Sequence, residues 1–336
     1  MNTRTAAHCH LPFSVLAIFT ALPPMHALAQ QDAGCHQQQF GNFSEWSAPV
    51  NLGPALNSTS NDQWPAISPN GLSLYFASNR PGGSGQQDIW VTQRATLTSP
   101  WRTPQNLGRN INSESRDNAP TFSADGHWLI FSSSRTAGKC RQDSTNDLYI
   151  SYRRNAADDF GWEPAVNFGC ELSAANENAG PAFFEDRESG ITTLYFTSAR
   201  PGGPGGFDTY SSTRGFNGPF ANPVLVPELT TPLFEGGFAI RGDGLEMFLC
   251  WNAPAGLFTD CDLSVSTRAA TSDVWSVPVN LGPSINTSAD DGFPSLSCDG
   301  TTLYFASNRP GGSGGEDLYV TTRIKFEEPA IPAQRR

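Results

Sequence analysis

The sequence predicts an all-β protein, a five-bladed β-propeller with four-stranded antiparallel blades, whose N-terminal strand closes the last blade. Three observations lead to this prediction. A similar stretch recurs five times, each copy contains short apolar strands separated by turn signals, and the repeat is interrupted at the chain ends in a complementary way. The 32 glycines and 26 prolines suit many short strands joined by tight turns and do not suit a helical bundle.

Each copy of the repeat opens on an aromatic residue. The five opening residues are Trp46, Trp101, Trp162, Phe220 and Trp275. In the first copy, the segments 72–78 and 88–94 read as strands, and the following stretch, 101–108, supplies the outermost strand. Asn-Gly and Asp-Gly between apolar runs predict hairpins, because both central residues of such turns need a positive φ.

A closed ring explains how these repeats bury their apolar faces. One four-stranded sheet cannot cover both of its faces, whereas five sheets packed around an axis can. The alternative is a linear β-solenoid, but solenoids end in atypical caps and here the first and last copies are the most alike. The strand 46–53 has no preceding partners, and 317–323 lacks a following one. Pairing these two strands removes an open sheet edge.

The N-terminal residues read as an export signal. Arg4 precedes an apolar run at 11–22, and 27–29 form an A-x-A cleavage pattern. A membrane anchor is the alternative, but the run is shorter than the about 20 residues that a spanning helix needs. The expected divisions are a signal peptide (1–29), an N-terminal tail (30–45), one propeller domain (46–323) and a C-terminal tail (324–336).

The charge and composition restrict the class of partner. The net charge of −11 repels phosphate backbones, so no nucleic-acid partner is expected. No later segment is apolar enough to span a membrane. Together with the signal, this predicts an exported monomer of the periplasm or the cell exterior.

The repeat resembles a known family. Its core, seen in "LYFASNRPGGSGGEDLYV" of the last copy, is similar to the WD-like propeller repeat of the TolB type, and the resemblance extends over about residues 46–323. It implies a propeller fold and a bacterial envelope setting, and it implies little about activity. TolB has six blades and a further N-terminal domain, which are not visible here, so its partners are not transferred to this chain.

Six cysteines remain after the signal, an even number that favours disulfides in an exported chain. In an up-down-up-down blade, strand order places three pairs at a common end of a single blade. The expected bridges are Cys35–Cys298, Cys140–Cys170 and Cys250–Cys261. Free buried cysteines are the alternative.

One position at the start of each innermost strand carries an acidic or amide residue. The five ring residues, as they are called below, are Asp62, Asp117, Asn178, Glu235 and Asp291. Carboxylates near one axis suit a hard cation, so Asp62, Asp117, Glu235 and Asp291 are a candidate calcium site. The alternative is structural: each carboxylate accepts hydrogen bonds from backbone N–H groups of its crossover loop.

Arginines and a divergent loop occupy the same predicted face. The candidate ligand-binding residues are Arg80, Arg135, Arg200, Arg309, Trp251 and Asn252. The repetition of the arginines also suits a structural role, with the pairing partners expected to be Asp88, Asp147, Asp208 and Asp317. Blade four departs from the pattern, since Trp251-Asn252-Ala253 replaces its Ser-x-Arg.

Catalytic motifs are weak in this chain. Gly311–Gly315 matches G-x-S-x-G literally, but no helix follows it, and His127 lies on the opposite face from this loop. The expected function is therefore a non-catalytic recognition scaffold for an envelope protein, a peptide or a glycan. The competing hypothesis is a carbohydrate-active enzyme that uses two carboxylates near the axis, one as acid and the other as base or nucleophile.

Overall fold

The computed structural model describes residues 42–139, 145–173, 177–216, 218–253 and 261–326, without the side chains of Asn252 and Ala253. The predicted signal peptide lies outside these residues, as do most of both predicted tails, so those boundaries stay predictions. Among the described residues, no helix is long and apolar enough to cross a membrane.

The architecture is the predicted one: five four-stranded antiparallel sheets with almost no helix. Blade one contains β2 (Asp62–Ile67), β3 (Ser73–Ser78), β4 (Asp88–Gln93) and β5 (Gln105–Asn106). Blade two contains β6 (Asp117–Phe122), β7 (Trp128–Ser133), β8 (Asp147–Tyr152) and β9 (Val166–Asn167). Blade three contains β10 (Asn178–Asp186), β11 (Ile191–Ser198), β12 (Asp208–Arg214) and β13 (Val224–Leu225). Blade four contains β14 (Phe234–Ile240), β15 (Glu246–Ala253), β16 (Leu263–Thr267) and β17 (Val279–Asn280).

The ring closes as the interrupted repeat predicts. Blade five contains β18 (Asp291–Leu296), β19 (Thr302–Ser307) and β20 (Asp317–Thr322), and its fourth strand is β1 (Val50–Asn51) from the other end of the chain. Val50 pairs with Val320 in antiparallel register. Within the described ranges, the helical elements are α1 (Cys170–Ser173) and a 3₁₀ turn at Pro227–Leu229.

The aromatic residue that opens each repeat packs under an arginine from the end of the third strand. The guanidinium lies 4.2 to 4.9 Å from the ring centre in the pairs Arg94–Trp101, Arg153–Trp162, Arg214–Phe220, Arg268–Trp275 and Arg323–Trp46. Cation–π contact of this kind ties the third strand of each blade to the segment that leads into the fourth. The sequence shows both residues in every copy, yet their pairing was not predicted.

Each innermost strand contains a β-bulge near its start. The residue at the bulge has a positive φ in all five blades: Trp64, Ala119, Gly180, Gly237 and Phe293. A bulge adds one residue to the strand and re-aims the side chains around it. The equivalent positions thus bring three side chains of very different size, and two glycines without one, to the centre of the ring.

The predicted disulfide in blade four is confirmed. Cys250 is bonded to Cys261, and both are buried against Phe234. Cys170 and Cys298 are also disulfide-bonded, while the partners expected for them, Cys140 and Cys35, lie outside the described residues. Those two pairings stay predictions.

Candidate functional site

The ring residues are fully buried within their blades. Asp62 is the first residue of β2, and the backbone N–H and the hydroxyl of Ser58 in the preceding loop donate to its Oδ2 at 2.6 and 3.0 Å. Asp117 accepts the same two hydrogen bonds from Ser113, and Asp291 accepts them from Thr287. These contacts agree with the structural alternative for the three aspartates, because each carboxylate accepts a backbone N–H of its own crossover loop.

The repeated arginines pair with these ring residues and not with the partners expected from the sequence. Arg80 forms a salt bridge with Asp62 at 2.5 Å and also donates to the Leu56 carbonyl at 2.8 Å. The same arrangement joins Arg135 to Asp117, Arg309 to Asp291 and Arg200 to Asn178. Asp88, the expected partner of Arg80, instead accepts the Gly85 N–H and the Asn106 amide.

The expected pairing was wrong because a long arginine side chain folds back across the blade. Arg80 reaches the start of β2, 18 residues earlier in the chain. The side chains of Arg80, Arg135 and Arg309 are only 11 to 13% exposed. That these arginines contact a ligand stays a prediction. Each of them is already bonded to a ring residue of its own blade. The side chain of Asn252 lies outside the described part of the chain.

Blade four lacks this arginine, and its ring residue differs accordingly. Thr231 donates to Oε1 of Glu235, while Oε2 is buried with no hydrogen-bond partner. Burial raises the pKa of Glu235 to about 7. The residue opposite Glu235 in the register of β14 and β15 is Trp251. Its indole N–H is also buried and has no hydrogen-bond partner.

The ring residues do not form a joint site. Among the described residues, no three His, Cys, Asp or Glu side chains come together in a way that could hold a metal ion. The candidate calcium ligands Asp62, Asp117 and Asp291 are each directed to an arginine of their own blade. Calcium binding stays a prediction that these contacts do not support.

A central cavity does open at the end of the propeller where the inner strands begin. Its volume is about 280 Å³, close to the lower limit of about 300 Å³ for small-molecule pockets. The residues that line it lie next to the ring residues in sequence: Gln63 and Asn118 follow them directly, and Arg116 precedes one. Since neighbours on a strand face opposite ways, the side chains one position away reach the axis.

Two aromatic side chains line the cavity where it meets the axis. Trp64 and Phe293, both at bulge positions, stack with their ring centres 3.9 Å apart. The glycines at the equivalent positions of blades three and four leave room for them. A Cβ on Gly180 would lie 3.2 Å from the Trp64 ring, and one on Gly237 would lie 3.2 Å from Phe293.

Amide side chains form a hydrogen-bonded arc along the wall of this cavity. Asn118 donates to Gln87 at 3.1 Å, and Gln87 donates to Gln63 at 2.7 Å. Gln63 in turn donates to the carboxyl group of Glu316, the residue before β20. The arc thus joins blades two, one and five and ends on an acid.

Two buried acceptors in the cavity have no partner. The Oδ1 atoms of Asn118 and Asn146 are without a hydrogen bond, although these residues are only 8% and 3% exposed. The amide nitrogen of Asn146 donates to Glu177 at 2.7 Å. Leaving a buried acceptor unpaired costs about 1–3 kcal/mol, so these oxygens favour a ligand or water that brings O–H or N–H donors.

Glu316 has the properties of a proton donor. It is partly buried, and this burial, assisted by the charge of Asp290, raises its pKa to about 7. Asp290 accepts hydrogen bonds from the Cys261 N–H at 3.2 Å and from the Asn308 amide at 2.9 Å. Sequence reasoning missed both acids because neither occupies the repeated ring position.

A second, smaller cavity lies at the other end of the axis. Its volume is about 130 Å³, and the residues around it come from the second halves of the inner strands, including Glu185. Glu185 accepts the Ala124 N–H at 3.0 Å, and burial followed by the charge of Asp125 raises its pKa to about 7. In contrast to the first cavity, no buried side-chain acceptor without a partner was found among its described residues.

The solved structures of similar fold include several glycoside hydrolases. The catalytic domain of a family 62 α-L-arabinofuranosidase from Coprinopsis cinerea is 13% identical, with a TM-score of 0.55 over 83% of this chain and 98% of that chain. An α-L-arabinofuranosidase from Lactobacillus brevis is 15% identical, with a TM-score of 0.53 over 85% and 98%. A family 117 glycoside hydrolase from Zobellia galactanivorans is 13% identical, with a TM-score of 0.50 over 88% and 94%.

At these identities the likeness shows the fold alone. No family model matches the sequence, and no curated protein matches it. The resemblance to TolB-type repeats is therefore wrong, because the similar structures are glycoside hydrolases and no family model supports such a repeat. The expectation of a non-catalytic recognition scaffold is also wrong on this finding, because the similar structures are those of glycoside hydrolases.

Proposed function

We propose that the protein is a carbohydrate-active enzyme of the glycoside hydrolase type, which binds a sugar in the central cavity. The observation that supports this most directly is the pair of buried, unpartnered acceptors, Asn118 Oδ1 and Asn146 Oδ1, above an aromatic floor. Sugar hydroxyls supply the missing donors, and an apolar sugar face packs on an aromatic ring. The arabinofuranosidases of similar fold support the same class of substrate.

Glycoside hydrolysis needs a pair of carboxyl groups with different protonation states. Glu316, with its pKa near 7, is the acid that gives its proton to the glycosidic oxygen as the bond to the anomeric carbon breaks. The charge of Asp290 contributes to the raised pKa of Glu316. Asp290 is therefore the candidate second carboxylate, which takes a proton from the attacking water. The ring residues Asp62 and Asp117 take no part, since arginines and loop N–H groups occupy them.

The test is hydrolysis of arabino-, xylo-, galacto- and uronic acid oligosaccharides, measured as the release of reducing ends. We expect Glu316→Gln to lower kcat by about 10²–10⁴-fold, the usual contribution of a general acid. Because Glu316 must be protonated to act, the wild-type rate should fall as the pH rises above about 7. Glu163→Gln, an exposed acid remote from the cavity, is the matched control.

Two results contradict the proposal. One is a Glu316→Gln enzyme as active as the wild type and with the same pH profile. The other is the absence of turnover by the wild type on every oligosaccharide in the panel. Activity that is lost with Asp62→Asn but kept with Glu316→Gln would move the chemistry to the ring residues.

A further inference from the structure

Arg116 is the only basic residue among the described residues that line the central cavity. Its backbone is held by Ser134, which accepts the Arg116 N–H at 3.0 Å and donates to the Arg116 carbonyl at 2.9 Å. Its side chain is exposed, and the guanidinium forms no hydrogen bond or ion pair with any residue that the structure describes. A fixed backbone thus presents a free cation at the cavity.

The arginines that recur in the repeat are, in contrast, engaged within the protein. Those of the Ser-x-Arg segments bond the ring residues, and those at the ends of the third strands lie over aromatic rings. The chain has 32 acidic and 21 basic side chains, so a carboxylate partner for Arg116 would be easy to supply from within the protein. Arg116 has none among the residues that the structure describes, although Glu177 occupies the equivalent position one blade further on.

The groups around Arg116 suit a sugar that carries a carboxylate better than a neutral sugar. A guanidinium presents a planar set of donors that matches a carboxylate, and such charge-assisted hydrogen bonds are about twice as strong as neutral ones. Beside it, Asn118 Oδ1 and Asn146 Oδ1 need hydroxyl donors, and Trp64 offers an aromatic surface. A neutral sugar satisfies the amides and the ring but leaves the guanidinium unused.

We infer that the sugar in the cavity is acidic, a uronic acid residue whose carboxylate pairs with Arg116. This inference rests on the proposed function and narrows its substrate class. The carboxylate binds the guanidinium, the ring hydroxyls donate to the Asn118 and Asn146 oxygens, and the apolar sugar face lies on Trp64. The short arc of amides then places the sugar next to Glu316.

The experiment is calorimetric titration of the whole protein with three matched probes: trigalacturonate, its methyl ester and galactotriose. We expect the wild type to bind trigalacturonate about 10- to 100-fold more tightly than the other two, the factor that corresponds to a hydrogen bond with a charged group. Arg116→Gln should bind all three equally. Arg154→Gln, which removes an exposed arginine remote from the cavity, should keep the wild-type preference.

The outcomes separate this inference from the proposed function. If galactotriose and the methyl ester bind the wild type as tightly as trigalacturonate and are cleaved, the inference is overturned and the proposed function stands. An equal loss of preference in Arg116→Gln and Arg154→Gln also overturns it, because the effect then comes from net charge. If the wild type neither binds nor cleaves any saccharide, both fail.

Discussion

Glu235 and Asp62 hold the same position in their blades, yet they meet different surroundings. Asp62 has an arginine and two loop donors, whereas Glu235 has one threonine hydroxyl and an unpartnered Oε2. The cause is in the sequence of blade four, where Ala253 takes the place of the arginine. Glu235 therefore favours its neutral form, and burial holds its pKa at about 7, above the ordinary 4.5.

This difference predicts a pH-dependent effect of Glu235→Gln on stability. Since the folded pKa is raised, the folded state binds the proton more tightly than the unfolded state. The wild type therefore loses stability as the pH rises from about 4.5 through about 7. The loss reaches roughly 3 kcal/mol at pH 8. A neutral glutamine removes this pH-dependent loss. The free energy of unfolding of Glu235→Gln should therefore rise relative to that of the wild type between pH 5 and pH 8.

Urea unfolding at the two pH values measures the effect. Glu163→Gln is again the control, because an exposed acid should shift the free energy of unfolding little at either pH. A difference between Glu235→Gln and the wild type that is the same at pH 5 and pH 8 would contradict the assignment. Glu185 and Glu316 titrate in the same range in all the proteins compared, so their contribution cancels.

Single residues also show where sequence reasoning about the site stopped. The position of Asp62 was evident from the repeat, and its structural role was one of two alternatives. Its neighbour Gln63, which lines the cavity, was not singled out because the residues equivalent to it are not alike. A binding site in a repeat protein lies where the copies differ, and the repeat pattern alone cannot say which difference is functional.

At the scale of the strand, the bulges of the inner strands decide what occupies the axis. Trp64 and Phe293 fill it from blades one and five, and Gly180 and Gly237 give them space from blades three and four. Ala119 takes the same place in blade two with a φ of 51°. A residue with a side chain can thus adopt this backbone, so the glycines serve the packing of the axis as well as the turn.

Gly180→Ala should destabilise the protein more than an alanine at an unobstructed glycine. Its Cβ would lie 3.2 Å from the Trp64 ring, and this ring cannot shift without disturbing its stacking on Phe293. We expect a loss of about 2–4 kcal/mol, of which roughly 1 kcal/mol comes from the positive φ alone. Thermal and urea unfolding measure it.

The matched control is Gly190→Ala in the same blade. Gly190 also has a positive φ, 69°, but no atom lies within 4 Å of its would-be Cβ. Equal losses in the two variants would mean that backbone strain, and not crowding at the axis, explains both. Replacing Trp64 by Leu in the Gly180→Ala background should restore part of the stability if crowding is the cause.

The strands and hairpins were predictable from the sequence, and the bulges were not. Asn-Gly at 70–71 predicted one hairpin, and the apolar alternation of 72–78 predicted the strand β3, all of whose residues are buried. Trp64 gave no such signal, because a tryptophan is seldom found at a positive φ. Its conformation depends on the axial contact with Phe293, some 230 residues away, which only the closed ring creates.

For the molecule as a whole, the closure between β1 and β20 joins the two ends of the described chain. The amide of Asn57 donates to the Leu318 carbonyl at 3.1 Å and accepts the Leu318 N–H at 2.9 Å. Asn112 makes the same pair of bonds with Ile89, at 2.9 and 2.8 Å, between blades one and two. The contacts are alike, and the difference is that a connecting loop joins β4 to β5, whereas β20 and β1 come from opposite ends of the described chain.

We therefore expect Asn57→Ala and Asn112→Ala to lower the free energy of unfolding by similar amounts, about 1–3 kcal/mol each, since both remove two buried hydrogen bonds. Their local effects should differ. β1 has two residues and can detach without unfolding a blade, which exposes the edge of β20. Amide hydrogen exchange of β20 should thus speed up at least tenfold in Asn57→Ala. In Asn112→Ala, β4 should stay protected, because a connecting loop keeps β5 beside it. Equal protection of β20 and β4 in the two variants would show that the closure is as firm as any other contact between blades, and that the ring opens only when the whole propeller unfolds.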